Sequence, residues 1–103
     1  MERKPEQAQR VEITMDDDQA QGSYINLAMV NHSGDEFTFD FIYVSPNSPK
    51  AKLRARLISS PGHTKRLMLA LQENVRRYEE RFGEIDINRG LAAPDVSKEV
   101  GHA

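Results

Sequence analysis

The chain contains no cysteine and no tryptophan. Without cysteine it can form neither a disulfide nor a thiolate metal site. Long apolar runs are also missing, and none approaches the ~18–20 residues that span a bilayer. The opening residues, Met-Glu-Arg-Lys-Pro-Glu-Gln, lack the apolar stretch of a signal peptide. A cytoplasmic protein without a membrane partner is expected. Residues 1–9 and 88–103 lack an apolar period, and both carry proline among polar or small residues. Such ends bury too little surface to offset the entropy of ordering, so disordered tails are expected. Residues 10–87 remain as a single domain. A core of that size is marginal, and small domains recruit disulfides, a metal or a partner subunit. With disulfides excluded, a homodimer is the expectation.

Chemistry-bearing motifs are equally scarce. His32, His63 and His102 fall in a turn, at a helix start and in a tail, with no zinc-site spacing. No serine or histidine stands in a nucleophile motif, and no P-loop spacing occurs. Asp16-Asp17-Asp18 opens a loop like a calcium loop, but its glycine is displaced and Leu27 stands where the closing acid belongs. It reads as a solvated acidic turn. The expectation is a protein that is not an enzyme and has no metal and no cofactor.

What is present is a set of alternating segments. Val11-Glu12-Ile13-Thr14-Met15, residues 24–30, residues 36–44 and residues 51–58 each place apolar side chains at every second position. Phe37, Phe39, Phe41 and Tyr43 share one face of the third segment. Leu53, Ala55 and Leu57 share one face of the fourth, with Lys52, Arg54 and Arg56 on the other. Ser33-Gly34-Asp35 suits a three-residue hairpin loop. That loop would pair His32 with Glu36 and set Met29 and Leu27 opposite Phe39 and Phe41. Asp40 would then lie beside Arg54 or Arg56 on the outer face. Pro46 and Pro49 punctuate the turn into the last strand.

A long helix comes next. Ser60 is an N-cap residue, Pro61 suits the first helical position and Gly83 is a C-terminal stop. Leu67, Met68, Leu71, Val75, Tyr78 and Phe82 fall on one stripe about 100° wide. Leu69 lies on the opposite side. The predicted fold is α+β, a four-stranded antiparallel meander followed by one long helix (ββββα). Four strands make a sheet ~19 Å wide, whereas one helix covers ~10–12 Å. That mismatch again favours a homodimer, with Phe37, Phe39 and Leu69 as candidate contacts for a second copy or another protein.

Several pieces carry a family resemblance. They are Gly22-Ser23-Tyr24-Ile25-Asn26, Glu36-Phe37-Thr38-Phe39-Asp40-Phe41, and Ser60-Pro61-Gly62-His63-Thr64-Lys65-Arg66-Leu67 after Arg56. Leu71-Gln72-Glu73-Asn74, Tyr78-Glu79 and Phe82-Gly83-Glu84-Ile85 complete the set. Together they resemble a family of small bacterial proteins described only as a domain of unknown function. The resemblance covers about residues 11–87, implies a compact module and supplies no activity. The element order also looks like the whirly and Pur-type single-strand nucleic-acid-binding modules. The acidic balance and the lack of tryptophan depart from them.

Charge is unevenly placed. Residues 1–44 hold Arg3, Lys4 and Arg10 against nine acids, a balance of −6. Residues 45–82 hold nine basic residues against three acids, a balance of +6. Opposite halves favour complementarity within or between chains, and an exposed basic patch second. The outer sheet face, with Tyr24, Asn26, Thr38, Lys52, Arg54 and Arg56, could stack a base and follow a phosphate backbone. The plainer reading is a solvated sheet face partly neutralised by Asp40. Lys65 and Arg66 could assist an anion at the helix start, or serve as ordinary neighbours of a cap. The main functional expectation is a homodimeric interaction module that binds another protein. Single-stranded nucleic acid is the alternative partner.

Overall fold

The computed structural model describes residues 9–89. The expected tails lie, except for residues 9, 88 and 89, outside the described residues. The elements are α1 (Asp17–Gln21), β1 (Leu27–His32), β2 (Phe37–Val44), β3 (Ala51–Ser59) and α2 (Pro61–Phe82). The strands form one antiparallel sheet in the order β1-β2-β3. The class is therefore α+β, a three-stranded meander followed by a long helix. The chain divides into two compact units, Met1–Pro61 with the sheet and Gly62–Ala103 with the body of α2.

The expected first strand is not formed. Residues 11–15 have no strand pairing, and Val11, Ile13 and Met15 are exposed. Alternation establishes only that a segment could lie half-buried on a sheet; pairing also needs an edge to receive it. The acidic loop expected after it is instead the short helix α1. The Gln19 carboxamide accepts a hydrogen bond from the Asp16 backbone N–H at 3.1 Å, closing the first turn. Gly22, at φ 83°, ends it in a conformation that side-chain-bearing residues avoid. Among the described residues the strands number three, so the ββββα order of whirly and Pur-type modules is not reproduced there.

The β1–β2 register differs by one residue from the expected one. His32 pairs with Phe37, Val30 with Phe39 and Ala28 with Phe41. The turn explains the slip. The Ser33 hydroxyl accepts hydrogen bonds from the backbone N–H groups of Asp35 and Glu36 at 3.2 and 3.3 Å. The Ser33 N–H donates to the Glu36 carbonyl at 2.9 Å. Ser33 to Glu36 thus form a four-residue connection. Met29 now pairs with Asp40, and Leu27 with Ile42. Leu27 and Met29 therefore lie on the sheet face opposite Phe39 and Phe41.

A second irregularity separates β2 from β3. Phe41 pairs with Ala55, but Ile42 pairs with Leu53, so Arg54 is the extra residue of a register shift. The N-terminal part of the sheet is closed differently. The Asn26 side chain accepts from the Val44 N–H at 2.8 Å and donates to the Val44 carbonyl at 3.0 Å. Its carboxamide pairs with the Val44 backbone as another peptide group would. β1 accordingly starts at Leu27, later than the alternation from Tyr24 suggests.

Burial centres on β2. Among the described residues, Phe39 is the buried hydrophobic residue and Asp40 the buried polar one. Phe39 and Phe41 stack with ring centres 6.3 Å apart. α2 runs where the sequence places it. Gly83 ends it at φ 100°, with its N–H donating to the Glu79 carbonyl at 3.0 Å. No residue of α2 is buried.

Candidate interaction site

Two sheet faces result from the register. The first carries Phe37, Phe39, Phe41 and Tyr43 along β2. His32 and Phe37 lie with their rings 5.3 Å apart. Tyr43 meets Tyr24 edge-on at 6.1 Å. Lys52 is the cross-strand partner of Tyr43, and the Arg54 guanidinium lies over the Tyr43 ring at 5.4 Å. Tyr24, Lys52 and Arg54 therefore gather around Tyr43 at one end of the aromatic stripe.

Arg56 does not join them. It pairs with Asp40 on the other face and donates from Nε at 2.7 Å and from a terminal nitrogen at 3.0 Å. The fork holds both carboxylate oxygens. These bonds, aided by the guanidinium charge, hold the Asp40 carboxyl below its ordinary range, while burial pulls the other way. The expected pairing of Asp40 with an arginine is thus made with Arg56. The expected single basic face of Lys52, Arg54 and Arg56 is split, because the extra residue at Arg54 reverses the alternation of β3 from Ala55 onward.

The other expected contacts fall in three places. Phe37 is half-buried beside His32. Phe39, at 9% exposure, belongs to the sheet's own core rather than to free surface. Leu69 is exposed on α2, as are Lys65 and Arg66 near its start. The apolar stripe of α2 is also exposed, from 37% at Leu67 to 65% at Phe82. Its polar side is organised: Glu73 accepts from Arg76 at 2.8 Å and Arg77 at 3.0 Å, and Arg76 also reaches Glu80 at 2.7 Å. Bonds first from Arg76 and then from Arg77 lower the Glu73 carboxyl to about 2.

Sequence reasoning misses two residues. Alternation assigns Tyr43 to the core face, yet it anchors the Tyr24, Lys52 and Arg54 cluster. It leaves Asn26 among surface contacts, yet both ends of its amide are spent on Val44. No local signal marks either role, since each depends on a cross-strand neighbour. A shallow depression of about 300 Å³ is lined by Glu84, Ile85, Asp86, Ile87 and Asn88. Among the described residues, no group of three or more His, Asp or Glu side chains could hold a metal ion. No helix there is long and apolar enough to cross a membrane.

A small α+β chain with an antiparallel three-stranded sheet and a long amphipathic helix is the class these features define. The family described as a protein of unknown function, DUF3467, matches residues 1–87. The chain belongs to that family. Among curated proteins and among solved structures, nothing matches it.

Proposed function

We propose that the protein is a non-enzymatic, homodimeric interaction module that docks another protein. The supporting observation is the unburied stripe of α2, where Leu67, Met68, Leu71, Val75, Tyr78 and Phe82 are all exposed. Covering a large apolar side chain is worth about 1.5–3 kcal/mol, so six of them on one stripe form a strong driving force for association. Contiguous apolar patches of this kind mark interaction surfaces. Two-fold self-association is the commonest way to cover such a stripe. Light scattering coupled to size exclusion at micromolar concentration should give twice 11.7 kDa. Leu71→Asp should move the species toward monomer while far-UV circular dichroism stays helical. A wild-type mass of 11.7 kDa overturns the reading.

One observation favours a second reading, single-stranded nucleic-acid binding. Tyr24, Tyr43, Lys52 and Arg54 combine aromatic rings with two cations at one end of the sheet. Stacking platforms beside basic side chains suit single strands. Labelled single-stranded DNA or RNA, titrated at low salt, separates the readings. Micromolar binding that weakens with salt and is lost in Lys52→Glu with Arg54→Glu supports nucleic acid. No binding at low salt removes it.

A further inference from the structure

We infer that Val11-Glu12-Ile13-Thr14-Met15 is an exchanged β-strand, added by each chain to the open β3 edge of a second copy. This rests on the homodimer reading and adds a second contact to the one proposed on α2. The segment has the period of a half-buried strand, yet it pairs with nothing among the described residues. Val11 is 77% exposed, Ile13 82% and Met15 60%. A bare strand pattern of this kind leaves its apolar face in water and its backbone groups open to pairing with a strand edge.

The sheet offers two receptors, because β1 and β3 are both edges. Charge distinguishes them. β1 reads Leu-Ala-Met-Val-Asn-His and carries no lysine or arginine. β3 carries Lys52 and Arg54, with Arg56 already paired to Asp40. The donor segment contains Glu12 and runs into Asp16, Asp17 and Asp18. An acidic donor therefore matches the basic edge. Long unprotected edges invite strand addition, and lysine and arginine on β3 discourage all but an acidic incoming strand.

Connectivity makes the receptor a second chain. The segment leads through α1 and residues 22–26 into β1, while β3 lies across β2 at the far side of the sheet. Reaching its own β3 would take the segment across a sheet face, away from the edge where the chain enters. In a two-fold pair each copy donates one strand and receives one, which satisfies both edges by the same contact. The acidic N-terminal half and the basic β3 region then face each other between chains.

The position of the segment outside every helix and strand makes it open to substitution. Val11→Asp with Ile13→Asp should raise the dimer dissociation constant at least tenfold in light scattering, with unchanged circular dichroism. Glu12→Lys alone, and Lys52→Glu with Arg54→Glu, should each weaken the dimer. Combining all three should restore it. Hydrogen exchange should find the amides of 11–15 protected in the wild-type dimer and unprotected in Val11→Asp with Ile13→Asp. A wild-type dimer unaffected by these substitutions overturns the strand exchange and leaves the homodimer reading intact. A wild-type monomer overturns both. Protection of 11–15 that persists on dilution to monomer shows pairing within one chain and overturns the exchange. Binding of an unrelated strand peptide at β3 while the dimer persists also overturns it.

Discussion

Among the described residues, Asp40 and Arg56 form the ion pair that joins two strands. Asp40 sits at the middle of β2 with 8% exposure, and Arg56 reaches it from β3 with two bonds. Removing the guanidinium leaves a carboxylate largely withdrawn from water. Arg56→Ala should therefore lower the urea midpoint more than Arg54→Ala, whose guanidinium overlies the Tyr43 ring. The loss stays modest, since the Arg56 side chain is 57% exposed and screened by solvent. Equal midpoints for the two variants would remove the pair from the sources of stability. The pH dependence has a definite sign. The Asp40 carboxyl is lowered in the folded state, so its stabilisation is present above the ordinary carboxylate value of about 4 and fades as pH falls below it. Stability measured from pH 5 downward should fall less steeply in Asp40→Asn than in the wild type. An identical slope would exclude this pair as a source of acid sensitivity.

At the scale of elements, turn chemistry and one extra residue decide what faces what. The Ser33 hydroxyl holds a four-residue connection, and that sets His32 against Phe37. Cysteines test this directly in a chain that has none. His32→Cys with Phe37→Cys should oxidise to an intramolecular disulfide, because directly opposed residues bring their Cβ atoms within about 4.5–5.5 Å. His32→Cys with Glu36→Cys should not, as those side chains leave opposite faces. Mass spectrometry under non-reducing conditions reads the result. On α2, the lowered Glu73 carboxyl means that its pairs with Arg76 and Arg77 persist above about pH 4 and are lost as pH falls toward about 2. The helix ends are readable from Pro61 and Gly83, because capping is local. The faces of β3 are not, because Lys52-Leu53-Arg54-Ala55-Arg56 looks regular until Arg54 is left without a cross-strand partner.

For the molecule as a whole, the small buried set and the exposed apolar stripe support the proposed homodimer, whose formation would add to the stability of each chain. The unfolding temperature should therefore rise with protein concentration, as mass action requires of an obligate dimer. Unfolding temperatures recorded at 5 and 500 µM (about a hundredfold range) test this, and a temperature independent of concentration would assign the stability to the single chain. The candidate surface is only partly legible in the sequence. Tyr24, Lys52 and Arg54 are expected together and do cluster. Arg56 is expected with them and is committed to Asp40. Tyr43, their common neighbour, reads as core.

By itself the sequence determined the long helix, its apolar stripe, the positions of β2 and β3 and membership of the α+β class. Each arises from a period or a cap that acts over a few residues. Only the tertiary structure decided the strand count, the His32–Phe37 register, the α1 turn and the division of the basic residues between two faces. These depend on pairing across the sheet, where a one-residue difference in a turn or a strand reverses every side chain beyond it.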